Sequence, residues 1–373
     1  MIYVYNQYFK FSMKDGAALD SKSILSEVVA GRRMTDEEFA FLSEHGDLDA
    51  IGEAACTARD KIFQDDLITF IIDRRINYTN ICSCKCKFCT FFRDKTDRDA
   101  YVIDKATLFG QVMEAMEFGA IQLILQGGLN EELKIDFFEN MFKDIKGRYG
   151  LTIHSLTPPE VVFIAQNSGL TITDTLLRLK KAGLDSLPGG GADILHDEVR
   201  KQISPNKINT ATWLEVMRTA HRLGIKSTAT MMMGTVESSE HRLAHLREIR
   251  NLQDETHGFR AFIVWNYRPG DSGLRGAELS SSDYLRFLAL SRLYLDNIDH
   301  IQGSWFSPEE TMRQEMIAFG ADDLGSLILN DNMVSVPRAN YMMQLENMLE
   351  LIRQAGRTPA LRDTAYEVLR VFD

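Results

Sequence analysis

Cys82, Cys84, Cys86 and Cys89 fall within eight residues, and thiols gathered so tightly signal metal or redox chemistry. The run Cys82-Ser-Cys-Lys-Cys86-Lys-Phe-Cys89 contains a C-x3-C-x2-C spacing. Three thiolates on one loop can bind three irons of a 4Fe-4S cubane and leave the fourth iron without a protein ligand. A cluster held by four cysteines is saturated and serves electron transfer. Zinc is the competing metal, but cysteine zinc sites come as two separated pairs or as a Cys/His set, and no second pair exists here. Cys84 lies outside the 82/86/89 register and reads as a bystander, although it could replace a neighbour as ligand. Cys56, far upstream, reads as a buried apolar residue. Secreted disulfide proteins scatter their cysteines in pairs, so this cluster favours a reducing compartment.

An open iron can chelate the amino and carboxylate groups of S-adenosylmethionine (SAM). One electron then cleaves the sulfonium and releases a 5′-deoxyadenosyl radical. Such a loop needs a rigid frame, and from residue 66 the sequence supplies a strand-then-helix rhythm. Strand candidates are LITFIID (67–73), AIQLIL (120–125), LTIHS (151–155), LDSLP (184–188), IKSTATMMM (225–233), FRAFIVW (259–265), HIQGSW (300–305) and LGSLIL (324–329). Helices are expected near 105–118, 135–146, on both sides of Ser168-Gly169, and over 172–182 with Gly183 as its C′ residue. Further helices are expected near 209–223, 237–253, 282–297 and 341–355. Eight alternations imply right-handed βαβ units, hence a (β/α)8 TIM-type barrel, with an open doubly wound sheet as the alternative. The cysteine loop then follows the first strand, on the face where barrel enzymes carry their chemistry.

Residues 1–65 read as a polar, helical N-terminal extension, with Thr35 as the N-cap of the acidic run Asp36-Glu37-Glu38. The barrel is expected over 66–330 and a helical C-terminal extension over 331–373. Hydrophobic residues make up 45% of the 373-residue chain and charged ones 25%, which is ordinary globular composition. The net charge of −11, from 53 acids against 42 bases, argues against nucleic acid or an anionic membrane as partner. No signal-like N-terminus or membrane-length apolar run is visible, so the expected location is the cytoplasm.

Beyond the cysteines, the chain resembles the radical SAM family. Within it, Asn77-Tyr78-Thr79-Asn80-Ile81-Cys82 and Phe88-Cys89-Thr90-Phe91 look like the opening of the futalosine-pathway and deazaflavin-forming synthases. The likeness continues over roughly 65–325, through LILQGG (123–128), HSLTPPE (154–160), AGLDSLPGGGADIL (182–195), VRKQISPNK (199–207), TATMMMGTVE (228–237), LQDETHGFRAFIVW (252–265) and IQGSW (301–305). TATMMMG, Ile203-Ser204-Pro205, Trp265 and IQGSW look most like the cyclic dehypoxanthine futalosine synthase group, with aminofutalosine synthases and deazaflavin-type synthases as neighbouring groups. The sequence departs from the pattern at Asn130-Glu131, Phe92, Pro269-Gly-Asp-Ser272 and 330–340, none of which touches the SAM motifs.

The resemblance implies a 4Fe-4S cluster on Cys82, Cys86 and Cys89, SAM as cofactor, and a reductant such as flavodoxin or ferredoxin. It implies dehypoxanthine futalosine, or a related benzoate-bearing nucleoside-derived compound, as substrate in menaquinone biosynthesis. There the radical would take hydrogen from the sugar C4′, and the carbon radical would attack the benzoate ring. A different class, a non-catalytic iron–sulfur or zinc protein, would carry the same cysteines. Phe88 and Gln126-Gly127-Gly128 are expected at SAM, and Pro188 followed by Gly189, Gly190 and Gly191 at SAM or substrate; tight turns explain the glycines as well. Arg200 is a candidate for the SAM carboxylate, or else a solvated helix charge. Glu237 is a candidate for ribose hydroxyls, or else an N-terminal helix acid. His154 is a candidate for substrate contact or proton transfer, and Trp265 for stacking on an aromatic substrate; a structural histidine and barrel packing are the plain alternatives. One of Arg74 and Arg75 is a candidate for the substrate carboxylate. Methionines 231–233 read as core.

Overall fold

The computed structural model describes residues 19–269, 274, 276, 279–303, 310–328 and 345–372. All eight expected strands form: β1 (Leu67–Asn77), β2 (Gln122–Gln126), β3 (Thr152–Ser155), β4 (Ser186–Leu187), β5 (Lys226–Met233), β6 (Phe259–Asn266), β7 (His300–Gln302) and β8 (Asp323–Ile328). They pair in parallel in sequence order, and Ile71↔Ser326 and Ile72↔Leu327 join β1 to β8. That register closes the sheet and excludes the open doubly wound alternative. Ser304 and Trp305 of IQGSW, and 330–340, lie outside the described residues.

Helices follow the strands: α4 (Lys105–Glu117), α5 (Ile135–Tyr149), α6 (Pro158–Ser168), α7 (Ile172–Ala182), α8 (Asp197–Ile203), α9 (Thr210–Arg222), α10 (Ser239–Thr256), α11 (Ser281–Tyr294) and α12 (Glu310–Ala318). α7 shows why the periodicity was readable. Leu176, Leu179 and Ala182 form its buried stripe, Thr171 accepts a cap bond from the Asp174 N–H, and Gly183 at φ 122° ends it. α8 and α12 were not anticipated; α8 is only seven residues long.

Strand alternation divides the barrel's two sides. Ile68, Phe70, Ile72 and Ile76 of β1 join the outer apolar cluster with Phe138, Phe142 and Ile145 of α5. Ile71, Asp73 and Arg75, the alternate positions, line a cavity inside the barrel. Gln122, His154, Thr228, Thr230, Gln302 and Ser326 line the same interior. Barrel cores are ordinarily packed with branched apolar side chains. This barrel instead encloses a cavity, into which these polar side chains project beside apolar ones such as Ile124, Met231 and Ile263.

The N-terminal segment forms α1 (Ser21–Val29), α2 (Asp36–His45) and α3 (Leu48–Ile62), with Thr35 in a capping box with Glu38. Arg33 pairs with Asp254 and Asp296, and the Tyr294 hydroxyl donates to Asp36 at 2.5 Å, fixing this layer to the barrel's outer helices. The C-terminal segment differs from the expected helical extension. After α13 (Leu345–Gln354) come β9 (Thr358–Arg362), parallel to the first residues of β1, and β10 (Val368–Val371), antiparallel to β9. TPALR is too short and VLRV too exposed for alternation to reveal them. Arg362 anchors the hairpin: it donates to both carboxylate oxygens of buried Asp323, at 2.5 and 3.0 Å. Among the described residues, no helix is long and apolar enough to cross a membrane.

Candidate active site

The loop from Tyr78 to Asp104 leaves the C-terminal end of β1 and is fixed at many points. Thr79 and Ile81 form isolated bridges with Val102 and Arg93, and the Cys82 N–H donates to the Arg93 carbonyl at 3.1 Å. The Ser83 N–H reaches the Leu129 carbonyl, and the Lys87 N–H reaches that of Ile203 at 2.8 Å. Lys85 takes a left-handed φ of 48°, reversing the chain between Cys84 and Cys86. The result is that Cys82, Cys84, Cys86 and Cys89 all line one end of a cavity of about 500 Å³.

All four are free thiols, and Cys84 Sγ lies 3.4 Å from Cys86 Sγ. The Cys86 thiol is held below its usual range by the hydrogen bond from Cys84 and by the nearby Lys207 ammonium, while burial pushes Cys89 up. Three free thiols of one loop at one cavity mouth, with a cation beside them, suit a thiolate-held cluster. Lys207 was not singled out from sequence, although it ends the SPNK run. It is buried, 2.7 Å from Asp193 Oδ2, and its Nζ lies 4.9 Å from the Phe88 ring centroid. Asn206 Nδ2 donates to the Cys84 carbonyl at 3.2 Å, so this loop and the cysteine loop form one unit.

Phe88, Gln126, Gly127, Gly128, His154, Gly190 and Trp265 also line the cavity. The glycines have a more local reason than ligand approach. A Cβ on Gly127 would sit 2.6 Å from the Tyr78 ring, and one on Gly128 would sit 2.2 Å from the Ile81 carbonyl oxygen. These two therefore make room for the cysteine loop itself. A Cβ on Gly190 would meet the Thr157 side chain, and one on Gly189, which is not at the cavity, would sit 2.7 Å from the β5 backbone.

Arg200 and Glu237, like Gly189, lie outside the cavity lining. The Arg200 guanidinium donates to the carbonyls of Ala192, Gly191 and Ile208, clamping the chain around α8. Glu237 accepts from the Gly234 and Thr235 N–H groups at 2.7 and 2.8 Å and pairs with Arg242. Of the two arginines, Arg74 faces outward to Glu114 at 3.1 Å, whereas Arg75 lines the cavity with its Cζ 5.8 Å from the Trp265 ring.

The deep half of the cavity is polar. His154 Nδ1 is 2.6 Å from Ser186 Oγ, and its Nε2 makes no hydrogen bond to a described residue. Burial, reinforced by Arg260, Arg362 and Arg75, pushes His154 down to about 3, so the imidazole is neutral. Asp73 accepts from Gln122 Nε2 at 3.0 Å and from Ser326 Oγ, and burial pushes it up to about 6. Arg362, Thr364 and Tyr366 complete the far end. None of these three was singled out, because residues distant in sequence meet there only through the β9–β1 pairing. Elsewhere, His196, Glu198 and His241 gather within 4.8 Å, but His241 Nδ1 already accepts from the Ser238 N–H, leaving the proton on Nε2. That trio is a helix-cap arrangement.

The sequence profile of the radical SAM superfamily matches residues 76–249, and that of the CofH/MqnC C-terminal region matches 256–373. The chain is 40% identical over 359 residues to a cyclic dehypoxanthine futalosine synthase of Streptomyces coelicolor, covering 95% of this chain and 90% of that one. It is 39% identical over 310 residues to a 5-amino-6-(D-ribitylamino)uracil–L-tyrosine 4-hydroxyphenyl transferase of Archaeoglobus fulgidus, covering 82% and 89%. A crystal structure of methylornithine synthase aligns over 90% of this chain and 97% of its own, with a TM-score of 0.71 at 16% identity, a likeness of fold.

Proposed function

Because the chain belongs to the radical SAM superfamily, in the group carrying the CofH/MqnC C-terminal region, we propose that it cyclises dehypoxanthine futalosine to cyclic dehypoxanthine futalosine in menaquinone biosynthesis. The observation that carries this reading is Arg75 beside Trp265 in the same barrel cavity that the four clustered cysteines line. An indole face and a guanidinium together suit an aromatic acid such as the benzoate arm.

On this reading Cys82, Cys86 and Cys89 hold the 4Fe-4S cluster, and SAM lies against Phe88, Gln126, Gly127, Gly128 and Gly190. Bound there, cluster and SAM supply a 5′-deoxyadenosyl radical, with flavodoxin or ferredoxin as electron source. The chain's own share is positioning and exclusion of water. A primary carbon radical attacks almost any C–H bond, so the sugar C4′ hydrogen must be held nearest. Trp265 and Arg75 fix the benzoate arm. His154, neutral and with Nε2 unengaged among the described residues, offers the sugar a hydrogen-bond partner without placing a standing cation beside it. The C4′ radical attacks the benzoate ring and closes a spirocycle; the cluster or an external carrier would then take one electron and a base one proton, which restores aromaticity.

A second reading is supported by the 39% identity to the 4-hydroxyphenyl transferase: radical chemistry on tyrosine and a ribitylaminouracil. Reconstituted enzyme incubated with SAM, dithionite and each substrate set separates the two by mass spectrometry. The expected product is lighter than dehypoxanthine futalosine by two hydrogens, formed alongside 5′-deoxyadenosine. Unchanged dehypoxanthine futalosine, with turnover of tyrosine and the uracil, would select the second reading.

A further inference from the structure

The cavity's far end is built by the C-terminal hairpin, at the opposite end of the barrel from the cysteines. The turn Asp363-Thr364-Ala365-Tyr366-Glu367 joins β9 to β10 across the N-terminal ends of the barrel strands. Its geometry is over-determined. Asp363 Oδ1 accepts from the Ala365 and Glu367 N–H groups at 2.7 and 2.9 Å, and the Asp363 N–H reaches the Glu367 carbonyl. Thr364 Oγ1 donates to Gln122 Oε1 at 2.6 Å, and Arg260 Nη1 donates to the Thr364 carbonyl at 3.0 Å.

Within this turn Tyr366 holds a left-handed φ of 70°, a conformation a bulky residue adopts only when its surroundings impose it. The ring is clasped from two sides, stacked on His300 at 3.9 Å and with the Arg362 guanidinium 3.7 Å from its centroid. Yet its hydroxyl makes no hydrogen bond to a described residue, while the side chain lines the cavity. A strained, clasped tyrosine with an unengaged donor at a cavity wall is a preorganised contact for something that enters. Arg75 and Arg362 line this chamber together with Asp73, and Arg362 is already paired with Asp323, so the cation the chamber offers an entering carboxylate is Arg75.

We propose that the 363–367 turn is the floor of the substrate site, and that the Tyr366 hydroxyl donates to the carboxylate at the substrate's deep end. The C-terminal region thereby sets the depth of the chamber and selects substrates carrying an acid there. This rests on the cyclase reading above. The test is steady-state kinetics of wild type and Tyr366→Phe with dehypoxanthine futalosine and with its methyl ester. Phenylalanine keeps both ring contacts and removes only the donor. Because a hydrogen bond to a charged group is the stronger kind, KM for the acid is expected to rise about tenfold or more, with KM for the ester unmoved. An unchanged KM for the acid would overturn the proposal, as would an equal rise for acid and ester, which marks a purely structural role. Wild-type enzyme inert toward both compounds would overturn the cyclase reading and this proposal with it.

Discussion

Gly128 offers a sharp test of how the barrel supports its cysteine loop. A methyl group at this position would lie 2.2 Å from the Ile81 carbonyl oxygen, 2.7 Å from its carbon and 2.8 Å from Cys82 Cβ. The obstruction is backbone, so no side-chain rotation relieves it, and the Gly128 N–H is itself bonded to the Thr79 carbonyl at 2.9 Å. Gly128→Ala must therefore push the chain at Cys82 away from β2. Overpacking of this kind costs about 1–3 kcal/mol. In a chain of this length that is a fall in Tm of a few degrees. The loss of iron should be larger than the loss of stability, because the displaced atoms adjoin a proposed ligand. Gly147→Ala is the matched control: it lies within α5, with nothing within 4 Å of the added methyl. Helix propensity then predicts a gain of about 1 kcal/mol. The assays are calorimetry and iron content after anaerobic reconstitution. Gly128→Ala with wild-type Tm and full iron would refute the claim that this glycine exists to admit the cysteine loop.

Other substitutions probe separate parts of the site. Cys86→Ala should abolish SAM cleavage and lower bound iron while preserving the fold, since the loop carries none of the barrel's register; Cys84→Ala should retain iron, and loss confined to Cys84→Ala would show the 82/86/89 register to be wrong. Arg75→Met should raise KM for a carboxylate-bearing substrate about tenfold or more, with SAM affinity unchanged in a binding titration; Arg74→Met should leave that KM alone, because Arg74 points to Glu114. His221, buried between Thr256 and Ser227 hydroxyls, is held down to about 3, so the unfolded chain takes up its proton first as pH falls. Its contribution is whole above the unfolded value near 6.5 and declines from there toward 3. Urea titrations at pH 7 and pH 5 should show a smaller loss for His221→Gln, by on the order of 1 kcal/mol per pH unit.

The barrel was legible because its strands repeat one pattern: a short β-branched run, a turn, then an apolar stripe at helical spacing. Even β4, two residues long, was visible through the LDSLP run between Gly183 and the glycines. The cysteine loop was legible for a different reason, since its chemistry is local in sequence. Arg200 and Glu237 show the limit of reading charge without geometry. Arg200 was read for its bidentate guanidinium and Glu237 for its place just beyond MMMGTV, and each is engaged by nearby backbone groups. A turn at the end of a strand exposes N–H and C=O groups that need partners, and a charged side chain buried among them is itself tolerated only because it is hydrogen-bonded there.

Arg362, Thr364 and Tyr366 show the converse limit. Their segment carries no motif, and they reach the chamber only because β9 pairs with Leu67–Phe70 of β1. What brings them there is an ionic anchor: Arg362 on Asp323, which also accepts from Thr69 Oγ1 at 2.6 Å. Removing one partner of a buried pair costs about 3–5 kcal/mol, because the other charge is left unpaired. Asp323→Asn should therefore loosen the hairpin and unmake the chamber floor together. If the floor matters for catalysis, this variant should cleave SAM while forming less cyclised product per 5′-deoxyadenosine, since the cysteine end lies at the other end of the barrel. Equal coupling in Asp323→Asn and wild type, in a variant shown by proteolysis to have a released C-terminus, would mean that the chamber needs no floor. The polar interior beneath Trp265 would then have to hold the substrate by its walls alone.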